Sequence, residues 1–69
     1  MSTRFTMDVG PEFDDKLSEL SSRASVTKAE IIKRAVASYA YLKDETRSGN
    51  RVAITDRDSG AVLKDVILP

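Results

Sequence analysis

Three polar side chains alternate along one stretch near the start of the chain: Arg4, Thr6 and Asp8. A guanidinium fork, a hydroxyl and a carboxylate in a row offer the donors and acceptors that base edges in a DNA groove can meet. A second set lies at Thr27-Lys28-Ala29-Glu30. Its spacing is that of a capping box, in which Thr27 accepts from the Glu30 backbone N–H and the glutamate reaches back. A capped helix start presents free N–H groups and the positive end of a dipole, which suit a phosphate, and Lys28 lies beside it.

Bond-making chemistry has little to work with. The chain has no histidine and no cysteine, so a histidine base, a thiol nucleophile, a disulfide and the usual zinc sites are excluded. No serine or lysine sits at a recognisable nucleophile spacing. Asp56-x-Asp58-x-Gly60 resembles the start of a calcium loop, but the glycine comes one position early and Ile67 stands where the bidentate glutamate belongs. A turn is the better reading. Asp14 and Asp15 are adjacent on a helix and point in different directions, so they do not make a catalytic pair. The sequence therefore predicts no catalytic residue, no metal site and no cofactor, and not an enzyme.

Four elements must position these side chains. Between the polar residues of the first stretch stand Phe5, Met7 and Val9, which gives the period-2 alternation of a strand with one face on a core. Gly10-Pro11 closes it. Proline suits a first helical position, and Glu12, Asp14 and Asp15 complement the dipole there. Phe13, Leu17 and Leu20 then mark one face of a helix expected over about 11–23. After Ala24-Ser25-Val26, a second helix starts at Thr27, with Val26 placed as a staple against Ile31. Ile31, Ile32, Ala35, Val36, Tyr39 and Leu42 are expected inward, and Lys33, Arg34, Ser38 and Lys43 outward. The helix should stop at about 45–47, before Ser48-Gly49-Asn50.

The remainder changes character. Arg51–Thr55 and Ala61–Leu68 are β-branched runs around Asp56–Gly60, the pattern of a hairpin. On strict alternation its second arm is apolar on both faces, with Ala61, Leu63 and Ile67 on one and Val62, Val66 and Leu68 on the other. An isolated hairpin is marginal in water. It must dock on the helices, pair with another chain or await a partner.

Sixty-nine residues make one small domain, which buries only about 60% of its unfolded surface. Small scaffolds need a staple, and without disulfide or metal the one left is a partner subunit. The first strand has unpaired edges and no nearby strand to join, so its economical partner is the same strand of a second copy. No apolar run approaches the ~20 residues of a membrane span, and no secretory leader is evident. The expectation is a soluble, cytoplasmic protein with no membrane partner. Eleven basic residues balance eleven acidic ones, which counts against a strongly basic nucleic-acid binder.

The polar strand face can be read in two ways: an exposed edge that keeps the strand soluble, or half of a two-stranded antiparallel ribbon that enters the DNA major groove. The order strand, helix, capped helix favours the ribbon. On the Arg4-Phe5-Thr6-Met7 strand, the Phe13/Leu17/Leu20 stripe, the start Thr27-Lys28-Ala29-Glu30-Ile31-Ile32 and the run Ala35-Val36 to Tyr39, residues 3–42 resemble the ribbon-helix-helix (MetJ/Arc/CopG) superfamily. The CopG-type repressors are the most similar branch.

The resemblance implies a mainly α fold with short β: an intertwined homodimer whose two-stranded antiparallel ribbon takes one strand from each chain. In it Phe5, Met7, Val9, Phe13, Leu17, Leu20, Ile31, Ile32, Ala35, Val36 and Tyr39 form the dimer core. It also implies base contacts from Arg4, Thr6 and Asp8, and phosphate contacts from Thr27 and Lys28. Two positions depart from the family pattern. Ser25 stands where glycine is frequent, and Asp8 puts a carboxylate in the groove, where it can accept from cytosine or pair with Arg4.

The domain division expected is 1–47 for DNA binding and dimerisation and 48–69 for the hairpin. The function implied is a sequence-specific, autoregulatory transcriptional repressor acting on a double-stranded operator. Its tail, residues 51–68, would bind a toxin or another protein, stabilise the dimer or join dimers on DNA. The alternative is a dimeric adaptor whose hairpin binds a partner without DNA.

Overall fold

Gly10 is extended (φ −73°, ψ 164°) and Pro11 follows as the first helical residue, the position where a missing N–H costs nothing. The computed structural model describes residues 3–69, and its elements are α1 (Pro11–Ala24), α2 (Lys28–Arg47), β1 (Val52–Thr55) and β2 (Val62–Val66). The first two residues of the expected 1–47 domain lie outside the described residues. The order of elements is helix, helix, antiparallel hairpin, a mainly helical chain with short β. Residues 3–10 carry neither helix nor paired strand, and every one of them is exposed.

Both helices end in the same way. At α1, Ser25 adopts the left-handed conformation (φ 55°, ψ 42°). Its N–H donates to Ser22 O at 3.2 Å, and Val26 N–H donates to Ser21 O at 3.1 Å. This double closure is the Schellman motif, which satisfies carbonyls a helix end would otherwise orphan. At α2, Gly49 (φ 91°) takes the same position, with Gly49 N–H to Thr46 O at 3.1 Å and Asn50 N–H to Glu45 O at 3.0 Å. The Asn50 amide also donates to Glu45 Oε2 at 2.8 Å. The breaker cluster thus stops the helix by supplying a residue that tolerates positive φ.

The hairpin pairs Val52 with Val66, Ala53 with Asp65 and Ile54 with Lys64, and then Thr55 with Val62. Leu63 is therefore an extra residue, a β-bulge. Cross-strand partners share a face, so the bulge shifts the alternation by one. Val62 falls on the side of Thr55 and Ala53, not with Val66, which corrects the strict alternation expected for this arm. The strands are also shorter than the apolar runs, starting at Val52 and stopping at Val66. Arg51 Nε lies 3.3 Å from Asp65 Oδ1.

The turn is built on one carboxylate. Asp56 Oδ1 accepts from the backbone N–H groups of Asp58 and Ser59, both at 3.0 Å, and from the Ser59 hydroxyl at 3.2 Å. Gly60, at φ 76°, completes it, and Asp56 N–H donates to Ala61 O at 2.8 Å. The Ser59 N–H, followed by the Asp58 N–H and the Ser59 hydroxyl, stabilises the charged form and holds the Asp56 carboxyl below its ordinary range. The Asp-x-Asp-x-Gly spacing serves a turn.

The chain divides into two units, Met1–Arg34 and Ala35–Pro69, with the division inside α2. Within the second unit, the Tyr39 hydroxyl donates to Pro69 O at 2.6 Å, and the Lys43 ammonium lies 5.7 Å from the Tyr39 ring centroid. Among the described residues no side chain is buried. Leu17, Ile31, Leu42, Val52, Val66 and Leu68 are half-buried, whereas Phe5 is 83% exposed and Val36 64%. No helix among the described residues is long and apolar enough to cross a membrane.

Candidate nucleic-acid interface

The start of α2 is built by its own sequence. Thr27 Oγ1 accepts from the Glu30 N–H at 3.1 Å, and Ile31 N–H donates to Thr27 O at 3.1 Å as the first helical bond. Half of the expected capping box is present. The reciprocal half is not, because the Glu30 carboxylate instead accepts from Arg34 Nε at 3.3 Å, one turn along the helix. An ionic partner at i+4 competes for the same oxygen. Val26 and Ile31, the two staple positions, are both half-buried.

Lys28 takes part in an ion pair: its Nζ lies 3.0 Å from Asp14 Oδ1, both side chains about half exposed (50% and 51%). Among the described residues of the first unit the other ion pairs, Arg23–Glu19 and Arg34–Glu30, each lie four residues apart within one helix. Lys28–Asp14 alone among these joins two elements, the first turn of α1 to the first turn of α2. Sequence reasoning assigned Asp14 to the helix dipole and missed this pairing. It depends on the tight turn through Ser25, whose left-handed conformation no sequence spacing announces.

Arg4, Thr6 and Asp8 all lie in the exposed segment before α1. The structure brings Thr27 and Lys28 together at one helix start and leaves Arg4, Thr6 and Asp8 open to solvent. Of the expected core positions, Leu17 and Ile31 are half-buried. Phe5, Met7, Val9, Phe13, Leu20, Ile32, Ala35, Val36 and Tyr39 are exposed in the single chain. A shallow depression along α1 is lined by Glu12, Phe13, Asp15, Lys16 and Glu19, and no cluster of metal-ligating side chains occurs among the described residues.

Comparison of the chain with protein-family models, with curated proteins and with solved structures gives no match. The functional reading therefore rests on the residues and their geometry.

Proposed function

We propose that the chain is one subunit of a two-fold ribbon-helix-helix homodimer that binds an operator and represses transcription, including that of its own gene. The observation that carries this reading is the exposure of the apolar stripe. Phe5, Met7 and Val9 are 83%, 50% and 41% exposed, and no described residue is buried. Apolar surface laid out at strand and helix periods but left uncovered calls for a second copy. Pairing residues 3–9 with their symmetry mates satisfies backbone groups along the shared strand edge, and packing the resulting ribbon on the helices of both chains covers that face.

The same pairing turns Arg4, Thr6 and Asp8 outward as one polar ribbon face, of a width the major groove admits. Thr27 and Lys28 then meet the phosphate backbone on either side. Phosphate contacts position the protein and base contacts specify the sequence. The hairpin, residues 51–68, is the surface for a further protein, as in an antitoxin, and the protein works in the cytoplasm.

A second reading, a dimeric adaptor that uses the hairpin and no DNA, is favoured by the balance of charges and by the neutralisation of Lys28 by Asp14. Sedimentation with a gel shift on the DNA upstream of the protein's own gene separates the two. A dimer that shifts this duplex supports the repressor. A dimer that shifts no duplex leaves the adaptor, and a folded monomer removes both.

A further inference from the structure

We infer that Asp14 is a built-in competitor for the DNA backbone, holding the Lys28 ammonium so that a phosphate contact made by Lys28 must first break an ion pair. The inference rests on the DNA-binding reading above and adds a residue to it that sets affinity without contacting DNA.

The first turn of α2 holds both signs of charge. Lys28 is the cation there, and its Nζ is 3.0 Å from Asp14 Oδ1. The neighbouring carboxylate, Glu30, is engaged by Arg34 at 3.3 Å. The positive charge of this turn is thus matched inside the protein. A phosphate approaching Lys28 meets an ammonium that already has an oxygen partner, and it meets that partner's negative charge as well.

Exposed ion pairs are weak, so Asp14 tempers binding and does not prevent it. Two subunits double the effect. Releasing Asp14 is expected to tighten dimer binding between about 2-fold and about 25-fold. Salt dependence carries a second signature. When a phosphate takes Lys28, DNA counterions are released, but the abandoned Asp14 carboxylate attracts a cation from solution. Net release is smaller than for an unpaired lysine, so removing the carboxylate should steepen the salt slope by up to about 0.9 per subunit.

The test uses the full chain and a short mixed-sequence DNA duplex, titrated at several potassium chloride concentrations. The variants are Asp14→Asn, Asp15→Asn, Lys28→Ala and the Asp14→Asn/Lys28→Ala double. Asp14→Asn is expected to tighten binding in the range above and steepen the slope, Asp15→Asn to do neither to that extent, and the double variant to match Lys28→Ala. Coupling of this kind isolates the pair from general charge effects. Parent binding that Asp14→Asn leaves unchanged overturns the competitor role and spares the DNA reading. An equal gain in the Lys28→Ala background also overturns it, because the gain then comes from charge at a distance. If neither parent nor Asp14→Asn binds duplex, the DNA reading falls and the inference with it.

Discussion

Ser25 and Gly49 close the two helices with the same pair of backbone bonds, at φ 55° and φ 91°. One does so with a Cβ and the other without. A left-handed conformation costs an ordinary residue about 1–2 kcal/mol, and glycine's extra unfolded-state freedom returns about 0.5–1 kcal/mol of that. Ser25→Gly should therefore stabilise the protein by about 0.5–1 kcal/mol. Space is not the limit at Gly49, where an added Cβ meets nothing within 4 Å. Gly49→Ala should still destabilise, through its φ alone. Denaturant midpoints at fixed protein concentration read both changes.

Met7 tests the assembly. In the proposed dimer it lies at the two-fold core, so Met7→Lys would bury a charge with no partner and should abolish folding. Circular dichroism and sedimentation check this. A folded, monomeric Met7→Lys protein would sink the intertwined dimer.

Reading and gripping should separate in binding measurements. Arg4→Ala is expected to lose about 1–3 kcal/mol on the operator and much less on random DNA. Lys28→Ala should weaken both alike and flatten the salt slope by up to about 0.9 per subunit. Asp8→Ala should tighten binding everywhere, because a carboxylate in the groove repels phosphate. If instead operator preference disappears, Asp8 reads cytosine.

Strong acid should loosen the hairpin turn. The folded Asp56 carboxyl titrates below its ordinary value, because the N–H groups of Ser59 and Asp58 bind the charged form. Its contribution to stability is complete above the unfolded value of about 3.9 and is lost as pH falls through the lower folded value. Amide exchange at Ser59 and Gly60 reports the opening, and Asp56→Ala should show it already at neutral pH.

Truncation after Thr46 should leave a dimer that binds DNA, since residues 3–42 hold the proposed reading segment and the apolar stripes of both helices. If the shortened chain unfolds, the hairpin belongs to the core. If it folds and binds without cooperativity between dimers, the hairpin joins dimers on DNA.

Local chemistry was legible where one segment decides its own conformation. Thr27, the Ser48–Asn50 breaker and the Asp56–Gly60 turn each act through bonds to residues at most five positions away, and Pro11 acts through its missing N–H. Their elements fall within a residue or two of where spacing puts them. The bulge at Leu63 was not legible, because strand pairing imposes it and strict alternation hides it. Nor was the Asp14–Lys28 pair, which joins two helices through a turn whose handedness the serine at position 25 disguises. The capping box was half right, because Glu30 had two partners available and spacing alone does not rank them.

The absence of any buried side chain among the described residues of the single chain bears on how the protein meets the cell. Ordering a residue costs about 1–2 kcal/mol of backbone entropy, and a lone chain has little covered apolar area to offset it. If a second copy supplies the cover, folding becomes bimolecular and the melting temperature follows concentration. Newly made chains at low abundance would then be unfolded and open to proteases. Folded dimer would accumulate with roughly the square of synthesis, so a modest fall in expression would remove it abruptly.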